Sequence, residues 1–139
     1  MHGESDEVAY QNAFDELAGV YLEDSWVLDM ATSHTALIFT LDAVLTPAHR
    51  AYRPPMPGEV HCYRRAELRL DSDSAIQIRQ SQTPPAIDAA GERDYGNIDT
   101  FRLCEEAGFG VWELTGDWGD ALVRHPRVRL QLYLPKGPS

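Results

Sequence analysis

The first 49 residues contain no lysine or arginine, although they carry nine aspartates and glutamates. Lysine is nearly missing from the rest: eleven of the twelve basic side chains are arginine, and the single lysine is Lys136. A chain of net charge −10 has little with which to neutralise phosphates, which argues against general binding to nucleic acid. The same sign disfavours an anionic membrane surface, and no apolar run approaches the ~20 residues of a bilayer span. Cysteine is scarce as well, since Cys62 and Cys104 are too few for a disulfide framework. The opening, Met1 to Tyr10, is acidic and polar, without the basic and apolar blocks of a secretory signal. Reduced thiols in a cytoplasmic protein are therefore expected.

The apolar residues that are present alternate with polar ones. The final block, Gly108 to Leu134, reads as three strands separated by two turns. In its last run Val128, Leu130, Leu132 and Leu134 alternate with Arg129, Gln131 and Tyr133, the period-two pattern of a half-buried strand. Thr115-Gly116-Asp117 and His125-Pro126-Arg127 supply the turns. This block predicts an antiparallel meander. Upstream, strands are expected over Val20–Met30, Thr35–Leu45, Val60–Leu70, Ala75–Arg79 and Ile98–Cys104. Both faces of Thr35–Leu45 are largely apolar, so that strand belongs at the centre of a sheet. The short link before it predicts a hairpin with Val20–Met30.

Two loops interrupt the strands. Thr46 to Gly58 contains four prolines and predicts a stiff extended connection. Gln80 to Asn97 is long for a compact domain, and such loops are usually functional or mobile. Residues 1–7 read as a mobile acidic tail, and 8–139 as a single β domain of a length that buries one core. Val8, Tyr10, Phe14 and Leu17 allow at most one short N-terminal helix. The fold class is mainly β: an antiparallel sandwich or partly open barrel of about eight strands.

The run Val44 to His49, with Tyr52-Arg53-Pro54-Pro55, Pro57-Gly58-Glu59 and Cys62-Tyr63-Arg64-Arg65, resembles a run in small hypothetical proteins from bacteria. Tyr21 to Trp26 and Asp94 to Asp99 extend the resemblance over most of the chain. It implies a small, mostly β, stand-alone bacterial protein, and no activity, cofactor or catalytic residue.

Four constellations bear on function. Asp88, Glu92, Asp94 and Asp99 crowd one loop with the oxygen ligands that Ca²⁺ prefers, but in no EF-hand register. The plainer reading is a solvated loop of turn bonds. His49, His61 and Cys62 have no close pair such as a zinc site uses, and adjacent strand residues point to opposite faces. Ser25 and Cys62 lack the strand-turn-helix setting of a nucleophile elbow. The fourth constellation is a pair of displaced charges. Asp24 falls in the series Val20, Leu22, Trp26, Leu28, and Arg64 in the series Cys62, Ala66, Leu68. A charge in an apolar series needs a partner or water. Asp24 and Arg64 are therefore expected to meet, as a structural device or, with Trp26, as the polar floor of a ligand pocket. A one-residue bulge would instead turn either side chain to solvent.

The expected function is that of a small acidic, non-enzymatic bacterial protein that binds a basic protein partner, immunity-type or regulatory. Glu16, Glu23 and Asp29 are the expected partner-binding acids. The alternatives are the ligand pocket of Asp24 and Arg64, and a hydrolase or metal-dependent enzyme. No cofactor is expected. If the acids of the first half are instead cancelled internally, Arg65, Arg69, Arg127 and Arg129 should lie across from them.

Overall fold

The computed structural model of the protein describes residues 10–55, 57–58, 62–80, 86–87 and 93–133. The acidic tail 1–7, His61, Asp88 and Glu92 lie outside the described residues. The chain is mainly β, built as two four-stranded antiparallel sheets without closure into a barrel. Sheet A has the order β1 (Val20–Thr32), β2 (Ala36–Leu45), β3 (Cys62–Asp71), β10 (Arg127–Leu132). Sheet B has the order β4 (Gln77–Gln80), β9 (Gly119–Arg124), β8 (Val111–Gly116), β7 (Thr100–Leu103). Within the long loop, β5 (Ala86–Ile87) pairs with β6 (Arg93–Asp94) in a two-stranded ladder.

The expected hairpin forms between β1 and β2, closed by Ser33 N–H donating to the Ala36 carbonyl at 2.9 Å. The two-sided apolar strand is interior, between β1 and β3. The C-terminal block departs from a simple meander. β8 and β9 are a hairpin, but β10 leaves that sheet and pairs with β3. The β8–β9 turn is Asp117–Trp118, because Gly116 pairs with Gly119. Trp118 thereby swings into the core, its ring 5.0 Å from that of Phe39.

The change of sheet has a topological reason. β3–β4 and β9–β10 run side by side as one antiparallel ribbon, which serves sheet A with its β3–β10 half and sheet B with its β4–β9 half. At the bend His125 adopts φ 46°, a left-handed conformation that strains a non-glycine residue. Local bonds hold it there. Ser72 Oγ accepts from Arg124 N–H at 3.1 Å, and Asp73 takes Arg124 Nε at 2.9 Å and His125 Nδ1 at 2.8 Å.

On the other side, the segment 95–99 joins the sheets. Tyr95 N–H and Gly96 O bond Val27 of β1, and Asp99 N–H bonds Thr115 of β8. Between the sheets Phe39, Leu41, Leu68, Leu70, Leu114 and Val123 are buried. The one short N-terminal helix, α1 (Tyr10–Ala13), and a 3-10 turn (Asp15–Leu17) lie against this core. Tyr10 and Phe14 stack on Phe101 at 5.6 and 5.5 Å. The Tyr10 hydroxyl accepts from Leu22 N–H and donates to the Glu23 carboxylate. Burial first, and then that carboxylate, hold the hydroxyl protonated far above its ordinary range.

Candidate functional site

The alternation read over Val20–Met30 is broken twice in β1, and the site follows from those breaks. Tyr21 pairs with Val44, and the next pair is Trp26 with Asp42. Four residues of β1 therefore span the single Ala43 of β2, an excess of three. Because side chains alternate with period two, an odd excess exchanges the faces. The apolar series that contained Asp24 and Trp26 is thus corrected: Val27 is buried, while Asp24 is exposed and Trp26 looks outward. A second irregularity at Leu28 restores the phase, with Asp29 outward and Met30 against the core.

Ser25 holds the first excursion. It is the one buried polar side chain among the described residues. Its hydroxyl donates to the Tyr21 carbonyl at 2.7 Å and accepts the Val44 N–H at 2.9 Å. Asn97 Nδ2 donates to the Ser25 carbonyl at 2.7 Å. The candidate nucleophile is therefore engaged in holding the strand.

The result is an outer face of sheet A arranged in rows across the strands. One row runs Trp26, Asp42, Arg65, Tyr133, the last two beside each other through Tyr133 N–H on the Arg65 carbonyl. The neighbouring rows are Tyr21, Val44, Tyr63 and then Asp29, Thr40, Glu67, Gln131. Beyond them come Ala31, Ile38, Arg69, Arg129. Tyr21, Trp26 and Tyr133 are 39 %, 41 % and 43 % exposed. They are three of the four exposed large hydrophobic residues among those described, and all three lie on this face. The fourth, Phe109, projects from the turn before β8, edge-on to His125 at 5.6 Å.

The charges on the face are graded. Glu23, Asp24 and Asp29 are exposed on β1 at one margin, and Arg127 and Arg129 on β10 at the other. Asp42 and Arg65 form an ion pair of 2.8 Å between them. Arg69 and Arg129 both reach Asp71, at 3.1 and 3.5 Å. Arg79 pairs with Asp120, Arg102 with Glu113, and Arg124 with Asp73. These arginines thus serve acids of the second half of the chain, while Arg65 crosses to an acid of the first.

The other expected residues are dispersed. Arg64 keeps its place in the inward series of β3, and its guanidinium donates to the Tyr133 carbonyl at 3.0 Å. β2 lies between its strand and that of Asp24. Glu16 sits at the opposite margin of sheet A from Asp29, accepting the Leu130 N–H at 3.1 Å. A groove of about 650 Å³ runs beside it, lined by Asp15, His49, Arg50 and Leu130 among others. His49 Nδ1 accepts the Ala51 N–H at 2.9 Å. Burial, and then Arg50 and Arg64, lower its pKa below 6.5. Cys62 and Cys104 are buried free thiols.

Of the expected metal-loop residues, Asp94 lies in β6 and Asp99 just before β7. The Asp99 carboxyl is held above its usual range by burial and by nearby Asp117. No group of three or more potential metal ligands forms among the described residues. No helix in them is long and apolar enough to cross a membrane. The outer aromatic face was not read from the sequence. Its signal was the exclusion of Trp26 by an odd register shift, which single-strand alternation does not carry. No protein-family model matches this chain, and no curated protein or solved structure does so either.

Proposed function

We propose that the protein is a non-enzymatic binding module that takes a basic protein partner on the outer face of sheet A. The observation that carries this reading is the gathering of Tyr21, Trp26 and Tyr133 on one exposed sheet face whose β1 margin bears Glu23, Asp24 and Asp29. Tryptophan, tyrosine and arginine are the side chains that dominate binding energy at protein interfaces. The first half of the chain, at nine acids and no lysine or arginine, adds the long-range field that speeds encounter with a basic surface. An immunity-type or regulatory role is the class that such a surface fits.

Affinity capture from the native cell's lysate tests it. Immobilised wild type is compared with a Trp26→Ser/Asp29→Lys variant at about 0.1 M and about 1 M salt, where screening lengths are roughly 10 and 3 Å. A basic protein should be retained by wild type at low salt and lost both at high salt and on the variant. Removal of this exposed tryptophan should weaken the isolated complex by roughly 30-fold or more. Retention of the same proteins by both baits, indifferent to salt, would overturn the proposal.

A further inference from the structure

We infer that the outer face of sheet A also closes on a second copy of this chain, in a weak twofold dimer that masks the partner-binding surface. This rests on the reading of that face as a binding surface, and it adds a regulation of that site.

The argument is in the registers. A twofold axis parallel to the strands and passing between β2 and β3 lays β1 of one copy over β10 of the other, and β2 over β3. Each row then meets its own reverse. In the row Trp26, Asp42, Arg65, Tyr133, Trp26 lies over Tyr133 of the second copy and Asp42 over its Arg65. In the next row Asp29 meets Gln131, and Thr40 meets Glu67. In the last, Ala31 meets Arg129 and Ile38 meets Arg69. No like charges are opposed in any of the three rows. Twofold interfaces require this self-complementarity, since each contact occurs twice. Aromatic side chains end the row of Trp26 and an opposite-charge pair sits at its middle, next to the axis.

The area fixes the strength. Four strands at ~4.8 Å by ten residues at ~3.3 Å cover roughly 600 Å². Two such faces bury about 1,200 Å², at the lower margin of specific interfaces. A dimer of that size is reversible, and a tighter partner displaces it. The net charge of −10 per chain opposes association at long range. Added salt screens that repulsion, so self-association strengthens from about 0.01 M to about 0.15 M salt. A basic partner shows the reverse dependence, which separates the two occupants of the face.

Sedimentation of the purified chain, without partner, tests the dimer alone. From about 10 µM to about 1 mM, the weight-average mass should rise toward twice the 15.6 kDa of the chain. The decisive arm uses D42R and R65D. Each reversal sets like charges opposite one another across the axis and should hold the protein at the mass of one chain. An equimolar mixture sets opposite charges together again, and the doubled mass should return. A W26S variant, which touches no ion pair, should lower the association constant at least tenfold. Wild type that stays at chain mass over the whole range at both salts overturns the inference. So does a mixture that remains monomeric while each variant is folded by circular dichroism. If either reversal fails to fold, the W26S comparison decides: association equal to wild type refutes the face. Partner capture that fails while the dimer forms would refute the proposed function and the masking role, and leave the dimer standing.

Discussion

Replacing Ser25 by alanine should destabilise the protein well beyond what the loss of one oxygen suggests. The hydroxyl stands where the bulged strand has withdrawn its backbone, accepting the Val44 N–H at 2.9 Å and donating to the Tyr21 carbonyl at 2.7 Å. Both Ser25 and Val44 are buried, so water does not replace the missing partner. Leaving a buried donor unsatisfied costs about 1–3 kcal/mol, and the loss of the second bond adds to it. The expected total is about 2–3 kcal/mol. For a chain of this length that lowers Tm by roughly 6–12 °C. Urea denaturation gives the free energy, with Ser33→Ala in the exposed β1–β2 turn as the control. Amide exchange at Val44 should accelerate in Ser25→Ala and stay unchanged in the control. A loss below about 0.5 kcal/mol, the ordinary effect at a surface site, together with unchanged Val44 protection, would refute this account of the bulge.

Other perturbations follow from the same contacts. Glu16→Ala removes the carboxylate that accepts the edge N–H of Leu130. It should cost about 0.5–1.5 kcal/mol and speed exchange at Leu130, whereas Glu16→Gln keeps an acceptor and should lose less; equal losses would sink the idea. The His49 pKa is lowered in the fold, so its contribution is present above 6.5 and lost as pH falls through the depressed value. Between about pH 7.5 and about pH 5 the stability of wild type should fall more steeply than that of His49→Gln; parallel curves would contradict this. Asp99 has the opposite sign: its raised pKa means that ionisation disfavours the fold as pH rises through that value. Asp99→Asn should therefore raise Tm at neutral pH, with the gain vanishing near about pH 4. A constant gain at every pH would show that charge is not the cause.

Strand identity was legible wherever alternation ran unbroken. Leu37, Phe39, Leu41, Ala43 and Leu45 all face the core in β2, and Val128 and Leu130 pack inward from β10 with Arg129 outward. Alternation failed in β1, because a three-residue excursion and a single-residue one are invisible to a period-two count. That failure sent Asp24 and Trp26 to the wrong face. Arg64 escaped it, since β3 pairs with β2 without interruption from Cys62 to Asp71. The acids expected to bind a partner are divided between the two margins of sheet A. Glu23 and Asp29 do share the β1 margin, but Glu16 was carried to the β10 edge by a turn that alternation does not describe.

The sequence by itself determined the strand content, the interior place of β2 and the acidic first half. Each of these is a local property, set by side-chain period, propensity and count. Only the tertiary structure decided which strands became neighbours beyond the β1–β2 and β8–β9 hairpins. It sent β10 away from β9 to β3, and it used the arginines of the second half mainly on acids of that same half. It also brought Trp26 and Tyr133, which are 107 residues apart in the chain, to the two ends of one row. Pairing depends on where the ribbon bends at Ser72–Asp73 and His125, and on where Ser25 holds a bulge open. Those are contacts between residues distant in sequence, and their energies do not exist until the sheets have met.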